Sequence, residues 1–238
     1  MRPRQDKIII VSELSPQNEG DMDTLKTMIL QSKMGGADIV KLQVYDSLHL
    51  LGSDKKQFAE ISKIELSEIK QYCDNIGIDL VTSVFDEERL NWILDSDLKY
   101  IKIASRTHRD NANLCEKIVQ SGRTIFVSNG MNPDSFPFAT AKNVSYLYCI
   151  PEYPALLENF HPTMLTQHPF VGFSDHTFGL SAAKVAVAFG ARVIEKHFTL
   201  SKAMQSSVNR AHLGSMTYNE LVQLRAFCDD FVRMGHDL

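Results

Sequence analysis

Long apolar runs are missing from this sequence, and none of its apolar stretches approaches the length of a membrane-spanning helix. The N-terminal stretch MRPRQDKIIIVSEL also lacks the longer apolar core of a secretory signal peptide. No basic tract is present, and 29 acidic residues nearly balance 25 lysines and arginines, which argues against nucleic acid as a partner. The sequence therefore predicts a cytoplasmic protein without a membrane attachment.

Cysteine is also scarce. The four cysteines, Cys73, Cys115, Cys149 and Cys228, are scattered without CxxC spacing, a pattern typical of free thiols in a reducing compartment. The 238 residues, 44% of them hydrophobic, suffice for one large core. We therefore expect a single domain over residues 1–238.

Eight short runs rich in β-branched residues alternate with longer stretches of helical period. The runs begin at Lys7, Asp38, Asp79, Tyr100, Thr124, Val144, Phe170 and Val193. This alternation indicates a parallel α/β domain, and eight repeats favour a single closed (β/α)8 (TIM) barrel. An open doubly wound sheet is the alternative, but the stretch ELSPQNEGD after the first run is not a glycine-rich phosphate loop. The links PDSFPFATAKN and PEYPALLENFHPTMLTQHP have weak helical patterns.

Seven of the eight predicted strands begin apolar and finish in polar or charged residues. In a barrel of this type the catalytic groups lie at the carboxyl ends of the strands. Residues two apart on a strand share a face, so Lys41 and Gln43 are expected to point together into the barrel mouth. The polar strand ends are Glu13, Lys41, Gln43, Thr82, Ser83, Lys102, Ser105, Ser128, Asn129, Ser174, Asp175, His176, Glu195, Lys196 and His197.

His176 and His197 end the seventh and eighth predicted strands, which are neighbours in a closed barrel. Two converging imidazoles predict a site for a divalent metal of borderline softness, with carboxylate or water completing the shell. Taken alone, the same pattern is also typical of histidines that only form hydrogen bonds. The lysines and serines at the other strand ends suit a phosphate or a carboxylate, so the mouth is predicted to hold an anion beside the metal.

The stretch GFSDHTFGLSAAKVAVAFGARVIEKHFTL, which carries both histidines, closely resembles the signature of the sialic acid synthase family. The blocks GADIVKLQ, YIKIAS, VSNGM and CIPEYP resemble the family as well and occur in its order. The resemblance spans nearly the whole chain, from Glu13 to the final helix.

The resemblance implies an enzyme that condenses phosphoenolpyruvate with the aldehyde of an open-chain, N-acetylmannosamine-like sugar. The product is a sialic-acid-type nonulosonic acid, and phosphate is released. The resemblance assigns a divalent metal, manganese with magnesium or cobalt as alternatives, to His176 and His197. It makes Glu13 a candidate for proton transfer or substrate positioning, and the three residues form the predicted catalytic set. It also implies a homodimer.

The predicted substrate-binding residues follow from the same resemblance and from strand parity. The family holds phosphoenolpyruvate at the positions of Lys41, Lys102, Ser105, Ser128 and Ser174. Gln43 shares the face of Lys41, Ser83 keeps a hydroxyl of the third-strand motif, and Tyr153 matches a tyrosine near the sugar.

Several positions depart from the family pattern. Gln17–Asn18 replaces an Asn-His pair, Arg106 replaces a glycine, and Pro151 replaces a polar residue. In the loop after the eighth strand, Ala211 takes the place of an aspartate. Family members usually continue into a small antifreeze-like domain, which we expect this chain to lack. These departures leave two alternatives open: a barrel that binds an anion or metal without turnover, and another metal-dependent barrel enzyme such as an aldolase or isomerase.

Overall fold

Eight parallel strands form a closed barrel in the computed structural model, which describes residues 7–204 and 213–235. The strands follow one another around the barrel in chain order, and the eighth pairs with the first. The predicted (β/α)8 barrel is confirmed, and the open sheet is excluded. The strands are β1 Ile9–Glu13, β2 Ile39–Val44, β3 Asp79–Val84, β4 Tyr100–Ile103, β5 Thr124–Asn129, β6 Val144–Cys149, β7 Phe170–Asp175 and β8 Val193–His197.

Helices cover the outside of the barrel. Their limits are set by local signals: Ser62 forms a capping box with Glu65 at the start of one helix, and Gly77 ends that helix in the left-handed conformation. The helices are α1 Met22–Met34, α2 Ser47–Leu51, α3 Lys63–Ile76, α4 Glu87–Leu94, α5 Ser105–Asp110, α6 Ala112–Gln120, α7 Met164–Gln167, α8 Ser181–Ala188 and α9 Tyr218–Arg233; short 3-10 helices span Gln57–Ala59, Leu157–Asn159 and Lys202–Met204.

The two links with weak helical patterns are irregular in the structure. Residues 130–143, between β5 and β6, form turns without a helix, and β6 connects to β7 through a 3-10 helix and the single turn α7. Phe136 covers the first gap by packing against Tyr146 and Phe170, with ring centroids 5.0 and 5.2 Å apart. Aromatic contacts therefore replace a packed helix there.

Apolar side chains occupy two regions of the barrel. The larger lies between the strands and the helices. The smaller fills the barrel interior at the amino end of the strands and consists of Val11, Ile39, Val81, Phe126, Leu147 and Val193. Strand parity brings a second inward position two residues further on, where these same strands carry polar side chains or a cysteine. The interior is thus apolar at one end and polar at the other.

The remaining sequence predictions concern cysteines and membrane segments. All four cysteines are buried and unpaired, as predicted. Within the described ranges, no helix has both the length and the apolar character needed to span a bilayer. Ala211 lies outside the described residues.

Candidate active site

A cavity of about 270 Å³ opens at the carboxyl ends of the strands, close to the lower end of the usual range for small-ligand sites. Every predicted substrate-binding residue lines it, as do both histidines. These residues are Lys41, Gln43, Ser83, Lys102, Ser105, Ser128, Tyr153, Ser174, His176 and His197. Glu13 is not a lining residue, but its carboxylate contacts Lys41 directly.

Strand register brings residues that are distant in sequence side by side. Glu13 lies opposite Lys41 on one side and His197 on the other, because β1 pairs with both β2 and β8. Ser174 lies opposite Glu195 across β7 and β8. Register therefore gathers most of the predicted polar strand ends into one group, whereas Thr82, Asn129, Asp175 and Lys196 do not line the cavity.

A buried cluster of two carboxylates surrounds Lys41. Its Nζ lies 2.5 Å from Oε2 of Glu13 and 2.8 Å from Oε1 of Glu195, which also accepts a hydrogen bond of 2.9 Å from Ser174. Burial opposes the charge on Lys41, but Glu13 and Glu195 raise its pKa above the ordinary value for lysine. Burial would raise the pKa of Glu195, yet Lys102 and Lys41 together lower it to about 2. Lys41 and Glu195 are therefore charged at neutral pH.

Glu13 is held by the protein on both carboxylate oxygens. Oε1 accepts a hydrogen bond of 2.8 Å from the Ser15 amide, and Oε2 accepts one of 3.4 Å from Gln43 besides its contact with Lys41. Burial raises the pKa of Glu13, Lys41 opposes this, and the negative charge of Glu195 adds to the increase. Its proton affinity is thus higher than that of Glu195.

Lys102 is the less neutralised of the two site lysines. Its Nζ donates to Ser128 Oγ at 2.5 Å and to the Ile103 carbonyl at 3.2 Å, while Glu195 lies 3.9 Å away. Burial lowers the pKa of Lys102 to about 8, against the opposing effect of Glu195. The ammonium group is charged at neutral pH and lacks a close carboxylate, which suits it to an external anion.

Two serines complete this side of the cavity. Ser105 Oγ accepts hydrogen bonds from the amides of Gly130 and Met131, at 3.0 and 2.8 Å, so the loop after β5 fixes the hydroxyl at the start of α5. Its proton remains available for a ligand. Ser83 Oγ is buried and has no hydrogen-bond partner among the described residues. A buried hydroxyl without a partner is costly, and a bound polar ligand would satisfy it.

The two histidines approach each other as predicted, with ring centroids 5.8 Å apart. His176 Nδ1 lies 2.8 Å from the Ile150 carbonyl, so Nδ1 carries the proton and Nε2 keeps a lone pair. Burial lowers the pKa of His176 to about 4, and the ring is neutral at neutral pH. The ring of Tyr153 lies 4.0 Å from that of His176, between centroids, and closes this side of the cavity.

The described residues give the histidine pair no third protein ligand for a metal. Among the described residues, no group of three or more His, Cys, Asp and Glu side chains is arranged to bind an ion. A neutral imidazole with its other nitrogen fixed by a backbone carbonyl is nevertheless a usual ligand for metals of borderline softness. The donor set fits a divalent ion whose remaining ligands are water or substrate.

A family model described as the NeuB family matches residues 28–234, which is most of the chain. The chain belongs to the NeuB family. The resemblance to sialic acid synthases found in the sequence is thereby confirmed.

Named relatives and solved structures agree with the NeuB assignment. The chain is 27% identical to the human N-acetylneuraminate-9-phosphate synthase, over 92% of this chain and 69% of that protein. It is 30% identical to the pseudaminic acid synthase of Campylobacter jejuni, over 91% of this chain and 72% of that protein. A crystal structure of the N-acetylneuraminic acid synthetase from Leptospira borgpetersenii shares the fold, with a TM-score of 0.87 at 24% identity, over 97% of this chain and 86% of that one.

Parity divides the polar ends of β7 and β8 into two sets in this NeuB-family barrel. Ser174 and Glu195 face the cavity, whereas Asp175 and Lys196 form a fully buried ion pair of 2.8 Å that does not line it. Lys196 also donates to the Thr177 carbonyl at 2.7 Å. This second set holds together the two strand ends that carry the histidines.

Sequence reasoning missed three cavity residues of chemical interest. Glu195 was recognised as facing the mouth but not as a site residue, and its strand partner Ser174 was the available signal. Cys149 lies in a run that reads as apolar, although its parity with Leu147 places it inside; burial raises the pKa of its thiol to about 12. Arg106, noted as a departure from the family, lines the cavity as well.

Proposed function

We propose that the chain condenses phosphoenolpyruvate with the aldehyde of an N-acetylmannosamine-like sugar and releases phosphate. The observation that carries this proposal is the buried Lys41–Lys102 site beside two converging histidines, in a chain of the NeuB family. The product would be a sialic-acid-type nonulosonic acid. The names of the relatives agree on synthases of this product class and differ in the sugar.

Phosphoenolpyruvate would bind at the inner end of the cavity. Lys102 offers a charged donor without a close carboxylate, and Ser83 offers a buried hydroxyl with no partner in the described chain. Ser105 and Ser128 lie on the same side of the cavity, held by the loop after β5 and by Lys102. A ligand with both a phosphate and a carboxylate would satisfy these donors together.

The reaction requires one carbon–carbon bond and one water molecule. C3 of the enolpyruvate bonds to the aldehyde carbon, whose oxygen takes up a proton and becomes a hydroxyl. Water adds its oxygen to C2, and the C2–O bond to phosphate breaks to give the 2-keto acid. The two protons of the water balance the proton gained by the new hydroxyl and the proton gained by the released phosphate. The ionised Glu195, fixed by Lys41 and Ser174, would orient the water, and Glu13 has the higher proton affinity of the two carboxylates. Glu13 would therefore take up a proton that the attacking water loses, and this proton would reach Glu13 through its contact with Lys41.

His176 and His197 would hold a divalent ion, with manganese as the first choice and magnesium or cobalt as alternatives. Such an ion supplies Lewis-acid polarisation of the sugar aldehyde. The neutral His176 ring, fixed through Ile150, would keep its Nε2 turned to that ion. Tyr153, whose ring is tilted by 33° against that of His176 with the centroids 4.0 Å apart, would bound the space left for the sugar.

Phosphate release from phosphoenolpyruvate tests the proposal directly. Purified protein with manganese is incubated with phosphoenolpyruvate and a panel of aldehyde sugars, and both phosphate and 2-keto acid are measured. We expect stoichiometric formation of the two products with at least one N-acetylated hexosamine. Binding of phosphoenolpyruvate without turnover of any sugar would instead indicate the non-catalytic barrel.

The predicted homodimer and the predicted cytoplasmic location remain proposals. Light scattering after size-exclusion chromatography tests the homodimer.

A further inference from the structure

Two cationic side chains at the cavity mouth take no part in the proposed binding of phosphoenolpyruvate or in the proposed reaction. Lys56 and Arg106 both line the cavity, Lys56 half-buried and Arg106 exposed. Across residues 7–204 and 213–235, neither side chain forms an ion pair with a carboxylate. Asp110, one turn after Arg106 on α5, accepts hydrogen bonds from Nε and Nη2 of Arg109, at 2.5 and 2.8 Å.

The charges deeper in the cavity balance without these two residues. Lys41 and Lys102 are matched by Glu13 and Glu195, and all four are buried. The mouth therefore carries two positive charges in excess. Burial lowers the pKa of Lys56, and the positive charge of Arg106 lowers it further, so the two groups are close enough to repel each other. An anion placed between them would remove that repulsion.

We propose that Lys56 and Arg106 form a second anion site that recognises a phosphate on the far end of the acceptor sugar. The inference rests on the proposed function, because the deep lysines and serines are taken there by phosphoenolpyruvate. A phosphate monoester carries close to two negative charges at neutral pH, which matches two cations, and arginine binds its oxygens in a bidentate manner. Arg106 stands where the family pattern has glycine, so this contact would select the acceptor of this chain.

The test compares acceptors with and without the phosphate in matched variants. Lys56→Gln and Arg106→Gln are combined to remove both charges, and the control combines Lys55→Gln with Arg109→Gln, exposed cations on the same segments that do not line the cavity. The acceptors are N-acetylmannosamine, its 6-phosphate, and the same sugar with a carboxylate at C6.

We expect wild type to prefer the phosphorylated sugar. The Lys56–Arg106 double variant should lose about 100-fold in kcat/KM for that sugar, since each of two charged contacts contributes about tenfold or more. Turnover of N-acetylmannosamine should change less than about twofold, and KM for phosphoenolpyruvate should not move. Equal losses for all acceptors, a raised KM for phosphoenolpyruvate, or equal preference for the carboxylate would each overturn the proposal.

A binding measurement separates this inference from the catalytic proposal. N-acetylmannosamine 6-phosphate is titrated calorimetrically into wild type, the double variant and the control, in the absence of phosphoenolpyruvate. Loss of binding only in the Lys56–Arg106 variant supports the mouth site even when no acceptor is turned over, an outcome that would defeat the proposed reaction alone. Equal binding by the three proteins, or none by wild type, overturns the mouth site.

Discussion

Replacing Lys102 with methionine should remove the main charged contact to phosphoenolpyruvate while keeping the volume of the side chain. The ammonium group lies 2.5 Å from Ser128 and 3.9 Å from Glu195, with no closer carboxylate. A hydrogen bond to a charged group contributes about 1.5–3 kcal/mol. At about 1.4 kcal/mol per tenfold, the dissociation constant of phosphoenolpyruvate should rise about 10- to 150-fold at neutral pH.

The pH dependence of binding gives the same prediction a second readout. Burial lowers the pKa of Lys102 to about 8, so the group is charged below that pH and becomes neutral above it. Between about pH 7 and about pH 9, the charged fraction falls about tenfold, and the affinity for phosphoenolpyruvate should fall with it. Burial raises the pKa of Cys149 to about 12, so its thiol does not titrate in this window.

Calorimetric titration of phosphoenolpyruvate across this pH range is the assay. The affinity of wild type for phosphoenolpyruvate should fall above about pH 8, and Lys102→Met should bind phosphoenolpyruvate weakly at every pH. Ser83→Ala is the matched control, because it removes a neutral hydroxyl from the same cavity. Its affinity for phosphoenolpyruvate should fall about 2- to 12-fold, and the affinity should keep the pH dependence of wild type. A flat wild-type profile, or the same alkaline loss in Lys102→Met, would refute the reasoning.

Three further predictions address the other parts of the site. Alanine at His176 or at His197 should abolish the heat of manganese titration, and heats equal to those of wild type would contradict a metal site. Glu195→Gln should slow phosphate release about 100-fold or more while phosphoenolpyruvate still binds, whereas an unchanged rate would remove Glu195 from the reaction. Asp175→Ala leaves the charge of Lys196 buried without its partner and should lower the free energy of unfolding by about 3–5 kcal/mol in urea titrations; a variant as stable as wild type would show that the pair does not stabilise the fold.

The barrel was predictable because its signals are local and repeated. Each strand is a short β-branched run, and the helices end at signals such as Gly77, so eight alternations could be counted without knowledge of contacts. The adjacency of His176 and His197 followed from the chain order of the strands around the barrel, which makes the consecutive strands β7 and β8 neighbours. The irregular link after β5 was visible as a weak helical pattern, but its packing through Phe136 was not.

The roles of the individual site residues were harder to predict from the sequence, because these roles depend on which atoms are in contact across neighbouring strands. Sequence parity placed Glu195 inside the mouth, but only the structure shows that its Oε1 binds both Lys41 and Ser174. Glu13 was expected to act in proton transfer or substrate positioning, but the sequence did not indicate that its oxygens bind Lys41, Gln43 and the Ser15 amide. Such pairings join residues up to 154 positions apart, and no local pattern encodes them.

The apolar layer around Phe126 closes the inner end of the cavity. Because this layer fills the barrel beneath the lysines, the described part of the chain leaves the cavity open only at the mouth. Phosphoenolpyruvate binds at the floor, so it must enter before the acceptor sugar, and the phosphate released from it must leave last. Steady-state kinetics should therefore show ordered addition, with phosphoenolpyruvate binding first. Inorganic phosphate should then compete with phosphoenolpyruvate, and a high concentration of acceptor should cause substrate inhibition by blocking the route to the floor.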